Sequence, residues 1–465
     1  MHRIFPLFSA SAIILAGALF CLRLLTPAFG PGTETLDHPV IALCIAMIIA
    51  GLAWMAFIPA LRRQAALPRA VLPMIIVLGL ALRILFFGSS PVYENDYKRY
   101  LWDGAVTAEG ANPYKYSPRQ IYEAGQPGAR SVPELATLAI FSNENDYITS
   151  HINSPDLTTI YPPAAQGVFA LAYIIAPFKL WSLKLIFLAA EMLGLLALLM
   201  GLRGRGLPLA WSALYWLNPI IILTTYNQLH MDILLVAPLL AALLWSGRSP
   251  VKTALMLSLA AAIKLWPLLL APILFRQWRH KPIVYFGMAG LIAALTLLSL
   301  MPMLLSLHES AGLLAYSANW TNSSFLFPGV RDVLGLFLED PNRGARYVIA
   351  AFLTLMSLWY GFISPQNIDT APVHLLLLSA SFIFLSPTGY PWYFIWFLIF
   401  LPFTVQHWST RGLALLTVGA AAYFARYQLG ESGHYEIYTD VLLPLEFGLP
   451  LLVLMWDGVK ARQHV

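Results

Sequence analysis

Residues 39–60 read PVIALCIAMIIAGLAWMAFIPA, 22 positions without a charged side chain. Coiled as an α-helix at 1.5 Å per residue, such a run is about 33 Å long, enough to cross the ~30 Å hydrocarbon of a bilayer. Runs of this kind recur along the whole chain. Of its 465 residues 59% are apolar or aromatic and only 11% charged, more apolar surface than a soluble core could enclose. The sequence therefore describes an all-α polytopic membrane protein. A secreted enzyme, a cytosolic oxidoreductase and a disordered hub are excluded. An outer-membrane barrel is excluded too, because its strands would alternate polar and apolar at period two. The net charge of +5 is a topology signal and implies no nucleic-acid partner. Cys21 and Cys44 both fall in apolar runs, where each acts as a small hydrophobe. The run from Phe8 to Leu25 after Met1-His2-Arg3 reads as a retained first span, since Arg23 interrupts its end and no cleavage signal follows.

Spans are expected near 8–26, 39–60, 70–88, 207–226, 231–246, 283–305, 346–363, 372–387, 391–405, 411–428 and 440–456, with further runs at 162–178 and 184–200. That makes 11 to 13 membrane helices. The loop carrying Arg62, Arg63 and Arg69 belongs inside by the positive-inside rule, so the chain emerges on the outer face near Gly88. Residues 89–160 hold nine acids and five bases, a solvated loop too long to be a simple connection. Residues 305–345 form a second outer loop, and 386–392 a third polar segment on that side. The basic loop at Arg203 and Arg205 fits an inside position only if one of the two preceding runs is incomplete, and Pro162, Pro163 and Lys179 point to the first. Residues 251–275 lie between basic loops at both ends. Two arms of about 12 residues would each be about 18 Å long, too short to cross. Ile263-Lys264-Leu265-Trp266-Pro267 is thus expected at the tip of a re-entrant hairpin. Residues 1–69 read as a two-helix addition before a main module at 70–465.

The chemistry-bearing residues gather around this outer side. Tyr93-Glu94-Asn95-Asp96-Tyr97-Lys98-Arg99-Tyr100-Leu101-Trp102-Asp103-Gly104 follows the third span closely. A helix there puts Asp96, Arg99 and Asp103 on one face; an interfacial helix anchored by Trp102 and the tyrosines is the plainer reading. Glu-Asn-Asp-Tyr recurs at 144–147. Glu191, inside an apolar run, reads as a polar contact between helices. His230 and Asp232 can orient sugar hydroxyls, hold a divalent cation or cap a helix, but two ligands are too few for a metal site. Tyr390, Trp392 and Tyr393 can stack on a sugar or form an interfacial belt, with the belt favoured. No cofactor is called for beyond that open question of a divalent cation.

The order of Asn95-Asp96, Arg99-Tyr-x-Trp-Asp-Gly104, Gly110-Ala-Asn-Pro-Tyr114 and Tyr161-Pro-Pro163, then Asn218-Pro219, Tyr226-Asn-Gln-Leu-His-Met-Asp232, Lys264-Leu-Trp-Pro267, Ser386-Pro387 and Tyr390-Pro-Trp-Tyr393, resembles polytopic GT-C superfamily glycosyltransferases. It is most similar to the polyprenol-phosphate-sugar-dependent enzymes of glycosyltransferase family 87 and their mannosyltransferase relatives. The resemblance implies a GT-C-type bundle with a large first periplasmic loop. It also implies a multi-pass protein of the inner membrane and cell envelope, with an active site facing the periplasm. A hexose, mannose-like, would pass from a polyprenyl-phosphate donor to a lipid or glycan acceptor, with membrane lipids as further partners. By the same resemblance Asp96 is the base, and Asn95, Arg99, Asp103, Tyr161, Asn227, His230, Asp232, Lys264, Tyr390 and Trp392 lie about the substrates. Chemistry agrees, since a phosphate leaving group needs no protonation and one carboxylate suffices, where a glycosidase needs two. Lys264, Arg99 and Arg83 are the candidate cations for the phosphate. The rival class is a transporter or lipid flippase, whose pathway would also show Glu191, Lys264 and Asp232, although no helical repeat supports it.

Overall fold

The computed structural model describes residues 4–30, 32–63, 70–126, 138–139, 151–307, 311–364 and 370–463. Among these residues every regular element is a helix, as a polytopic bundle requires. In lipid a backbone amide finds no water, so only helices satisfy their own polar groups. Six helices are long and apolar enough to cross a membrane: Pro6–Phe29, Val40–Arg62, Leu180–Arg203, Pro282–Leu304, Pro341–Ile363 and Tyr435–Gln463. The chain is thus a multi-pass membrane protein. The expected 11 to 13 is reached only when the five shorter apolar helices among the described residues are counted as well.

Two spans expected to be separate form that bent pair, Pro219–Asn227 and Met231–Trp245, which meet at 114°. The sequence explains both ends of the first limb. Asn218 accepts from the amides of Ile220 and Ile221 at 3.0 and 3.2 Å, and Pro219 follows at the first helical position, where no donor is lost. The limb then loosens into a π-turn over Leu223–Asn227, and Leu229 turns the chain through a left-handed φ of 61°. Asn227, Gln228, His230 and Asp232 gather at this break, all buried. The expected span at 411–428 also divides, into Ser409–Gly419 and Ala421–Glu431.

The helix Pro163–Ile175 has only 13 residues, about 20 Å of rise, and is followed by the full-length Leu180–Arg203. The segment around Lys264 folds as a hairpin. Pro250–Ile263 is helical, Lys264 is extended, and short turns from Trp266 return the chain. Ser246 Oγ donates to the Leu274 carbonyl at 3.0 Å, so the two feet of the hairpin meet. The first two helices pack on each other, and Val40–Met55 lies against both Ser409–Gly419 and Ala421–Glu431, with Cys44 Sγ donating to the Ala421 carbonyl.

The first part of the 89–160 loop is not a solvated connection or an interfacial belt. Helix Asp96–Ala108 packs along Pro163–Ile175, and Lys98, Arg99, Tyr100, Trp102 and Asp103 are all buried. Gly104 makes this seating possible, because a Cβ there would lie 2.4 Å from the Phe169 carbonyl oxygen. Tyr100 stacks on Phe169 at 4.5 Å, while Trp102 packs with Val106, Ile121, Leu138 and Ile152. The repeat at 144–147 and Arg69 lie outside the described residues.

One buried charge pair ties helices together inside the bundle. Arg83 donates to Glu191 through Nε at 2.6 Å and to the carbonyls of Gly79 and Trp216 at 2.8 Å. Glu191 also accepts from Tyr215 at 2.9 Å and Tyr226 at 2.5 Å. Both charged groups are wholly buried, and the guanidinium lies 3.5 Å over the Trp216 ring. Arg83, a candidate for the donor phosphate, is therefore unavailable for that role, and Glu191 is the interhelical contact expected of it. Removing one partner of such a pair leaves a bare charge in an apolar interior, at a cost of about 3–5 kcal/mol. Glu191→Ala is expected to lower unfolding stability in detergent by about that amount, and Arg83→Met/Glu191→Leu to recover much of it. A Glu191→Ala protein as stable as the wild type would show that the pair does not hold these helices.

Candidate active site

One cavity of about 530 Å³ collects most of the residues marked by the sequence, a volume in the usual range of small-molecule sites. Its walls come from Tyr93–Asp96, the 153–162 segment, the start of the second limb of the bent pair, the hairpin tip, helix Gly312–Asn319, the 390–393 turn and helix Ala421–Glu431. Asn95, Asp96, Arg99, Tyr161, Asp232, Lys264, Tyr390 and Trp392 all line it.

Asp96 opens its helix, where the free amide ends favour a carboxylate. Asn153 donates to its Oδ1 at 3.2 Å and to the Asn95 carbonyl oxygen of the side chain. Oδ2 faces His230 Nδ1 at 3.8 Å. About a quarter of the Asp96 side chain is exposed, toward the cavity. Desolvation in that enclosure holds its pKa above the ordinary carboxylate value, against the opposing pull of Asn153 and Lys264. His230 does not line the cavity but stands behind it, stacked on Trp392 at 3.7 Å. Its Nε2 lies 4.0 Å from Glu94 and has no hydrogen-bond partner among the described residues. Tyr93, just before Glu94, shares with Leu229, just before His230, a φ of 61°. For non-glycine residues this left-handed geometry costs of order 1–3 kcal/mol and clusters at functional sites.

On the same cavity, Lys264 Nζ is held by Asp232 Oδ1 at 2.7 Å, which also accepts from Trp396 Nε1 at 2.7 Å. The ammonium lies 4.3 Å over Tyr393 and 4.9 Å over Trp396. It keeps about a quarter of its surface open, so an anion entering the cavity can reach it. The roof is aromatic. Tyr316 and Tyr393 join hydroxyls at 3.0 Å, and Trp320 Nε1 donates to the Tyr390 hydroxyl at 3.1 Å. Tyr390 and Trp392 are buried and stacked on each other at 4.3 Å, which replaces the expected interfacial belt with a cavity wall.

Besides His230, two expected residues lie off the cavity. Asp103 is buried in an ion pair with Arg99 at 2.9 Å and accepts from Gln166 at 3.2 Å. Asn227 spends its amide on Ser89 Oγ at 2.9 Å and the Ser90 carbonyl at 2.7 Å, and accepts from the Val92 amide at 3.0 Å. Both are scaffold. Arg99 lines the cavity, but it is tied to Asp103 and to the Leu157 carbonyl. Among the described residues, no group of three or more His, Cys, Asp and Glu is placed to hold a metal.

Glu94, Asn153, Asn322, Tyr423, Arg426 and Tyr427 were missed. Glu94 stood inside the quoted motif, and Tyr423-x-x-Arg426-Tyr427 carries a polar helical face at i, i+3, i+4 within an otherwise apolar run. Glu94 is buried and accepts from Tyr423 at 3.0 Å and Tyr427 at 2.5 Å. Burial and the charge of Asp96 outweigh these donors and push its pKa up to about 7.

Residues 159–387 match the model of Glycosyltransferase family 87, so the resemblance read from the sequence holds over those residues. The matched segment includes Tyr161, His230, Asp232 and Lys264. No curated protein and no solved structure matches the chain.

Glu94 gives a pH test. A carboxyl whose folded pKa is raised from 4.5 to about 7 takes up its proton more tightly when folded. It therefore adds stability in full below about pH 4.5, and this is lost as pH rises through 7. Infrared titration should show a protonated carboxyl band disappearing near pH 7, absent in Glu94→Gln and shifted to lower pH in Asp96→Asn. A midpoint unmoved by Asp96→Asn would separate the two carboxylates.

Proposed function

We propose, for a chain whose residues 159–387 match the model of Glycosyltransferase family 87, that it is an inverting enzyme using a polyprenyl-phosphate sugar. A hexose, mannose-like, passes from the polyprenyl phosphate to a hydroxyl of a lipid or glycan acceptor on the periplasmic face of the inner membrane. The observation that carries this reading is that a carboxylate, Asp96, and an ammonium, Lys264, line one cavity walled in part by aromatic rings.

In the proposed step the acceptor oxygen attacks the anomeric carbon from the side opposite the phosphate. The bond from that carbon to the phosphate oxygen breaks, its electron pair leaves with the polyprenyl phosphate, and the hydroxyl proton goes to Asp96. One displacement inverts the anomeric configuration. Desolvation suits Asp96 to the task, because a carboxylate with a raised pKa is a stronger base than one in water. Lys264 supports the negative charge that collects on the phosphate. Ile263 and Leu265, which flank it on the cavity wall, offer an apolar approach for an isoprenoid chain.

Transfer of radiolabelled sugar from a panel of synthetic polyprenyl-phosphate donors, with membranes supplying acceptors, tests this reading. Asp96→Asn keeps size and hydrogen bonding but removes the base, and its rate is expected to fall by about 10²–10⁴ with donor binding retained. Lys264→Met should weaken donor binding. No transfer from any donor, together with facilitated movement of labelled lipid across proteoliposomes, would overturn the reading in favour of a flippase.

A further inference from the structure

We propose that the part of the cavity around Glu94 and Arg426 is a subsite for a neutral saccharide, the terminal pyranose of the acceptor, held by these two residues against Tyr390 and Trp392. The inference rests on the transferase reading for the word acceptor, but the sugar-binding chemistry stands on its own observations.

Two parts of the cavity wall differ. Lys264 is flanked by Ile263 and Leu265 and held by Asp232, whereas Glu94, Asn322, Tyr423, Arg426 and Tyr427, on the same cavity, are bonded into a group of their own. There the guanidinium of Arg426 is fixed in place. It lies 4.1 Å over the Tyr423 ring and 4.7 Å over that of Tyr427. It donates to Asn322 Oδ1, to Ser323 Oγ at 3.3 Å and to the Tyr427 hydroxyl at 3.1 Å. The same two tyrosines donate to Glu94 Oε1. Tyr427 is clamped in turn by Tyr93, stacked on it at 4.2 Å and 6°. Arg426 and Glu94 are thus braced by shared neighbours before any ligand arrives, which removes much of the ordering cost of binding.

The charge decides the ligand class. The carboxyl groups of Glu94 and Asp96 both line the cavity with Arg426, so a phosphate or carboxylate entering here would meet two acidic side chains as well as the one guanidinium. A neutral polyol fits here. One hydroxyl can donate to Glu94 Oε2, which has no hydrogen bond within the described residues. A neighbouring hydroxyl can accept from the guanidinium, whose fork geometry favours adjacent oxygens. Tyr390 and Trp392 are stacked on each other at 4.3 Å, and the ring atoms that they still present to the cavity are apolar surface against which the C–H face of a pyranose can pack. Glu94 then sits one residue from Asp96, which places a hydroxyl of the bound ring within reach of the base. Tyr423, Arg426 and Tyr427 lie past residue 387, so this subsite is not a property of the matched family segment.

The full-length protein in detergent can be titrated by saturation-transfer NMR with methyl hexopyranosides as neutral probes and glycerol phosphate as the anionic one. The neutral glycosides are expected to bind saturably, about tenfold or more weakly in Arg426→Lys and in Glu94→Gln, and glycerol phosphate should not displace them. Thermal unfolding of each variant without ligand checks that it is folded. Arg426-dependent binding of glycerol phosphate alone, glycoside binding indifferent to both substitutions, or no glycoside binding at all would each overturn the subsite. Transfer activity without glycoside binding would sink this proposal and leave the transferase reading intact. Glycoside binding without transfer from any donor would do the reverse.

Discussion

Asn227 is the side chain on which the site depends. In the interior of a helical bundle an unpaired amide has no water to turn to. Asn227 instead takes its partners from another segment, Ser89, Ser90 and the Val92 amide, and Gln228 adds the Val92 carbonyl. The chain break at 228–230 and the polar stretch after helix Val71–Leu85 thereby satisfy each other. Neither would be tolerable alone in an apolar surround. Their joining sets Glu94 and Asp96 beside His230, and Asp232 beside the hairpin tip.

The remaining charges divide into two kinds. Arg83 with Glu191, and Arg99 with Asp103, have most of their donors and acceptors filled by protein. Lys184 is filled too, by the carbonyls of Phe86, Phe87 and Ser89. These groups hold helices together. Around the cavity the bonding is thinner. His230 Nε2 has no hydrogen-bond partner among the described residues, and Asp96 and Glu94 both have raised pKa values. Low saturation with partial access to a cavity is what separates a group that can exchange a proton from one that cannot.

Composition and run length made the membrane class legible, because a bilayer imposes a single length on apolar helices. The hairpin around Lys264 was legible for the same reason: 25 residues between two basic loops are too few for two crossings. The bent pair was not, because Asn227 to Asp232 looks like an ordinary loop until its polar groups are seen to bond into segment 89–92. Arg83, Asp103 and Asn227 show the limit of reading a polar residue in an apolar setting as functional. Sequence gives the anomaly, while only the partner tells whether the group is satisfied. Arg426 and Tyr427 were overlooked for the opposite reason. They lie in a helix that reads as one more span, and what marks them is their contact with Glu94, more than 300 positions away in the chain.

Water is the competitor that a glycosyl transfer of the proposed kind must defeat. A sugar on a phosphate is already activated, and a base placed to deprotonate a sugar hydroxyl would serve water equally well. Positioning of the acceptor therefore cannot be the whole of the selectivity, and the roof bears on the rest. Helix Gly312–Asn319 is drawn onto the cavity by the Tyr316–Tyr393 hydroxyl pair, with Trp320 to Tyr390 just beyond. Its Gly312 packs directly on the Thr158 carbonyl. Tyr316, Trp320, Tyr390 and Tyr393 thus supply rings to the wall of the cavity that Asp96 also lines. On the proposed reading, the enclosure that raises the basicity of Asp96 also limits how much water can take up a position beside it. A pyranose bridging Glu94 and Arg426 gains such a position through two charged groups at once. Basicity and discrimination thus arise from one physical cause, the desolvation of a carboxylate at the end of a buried helix.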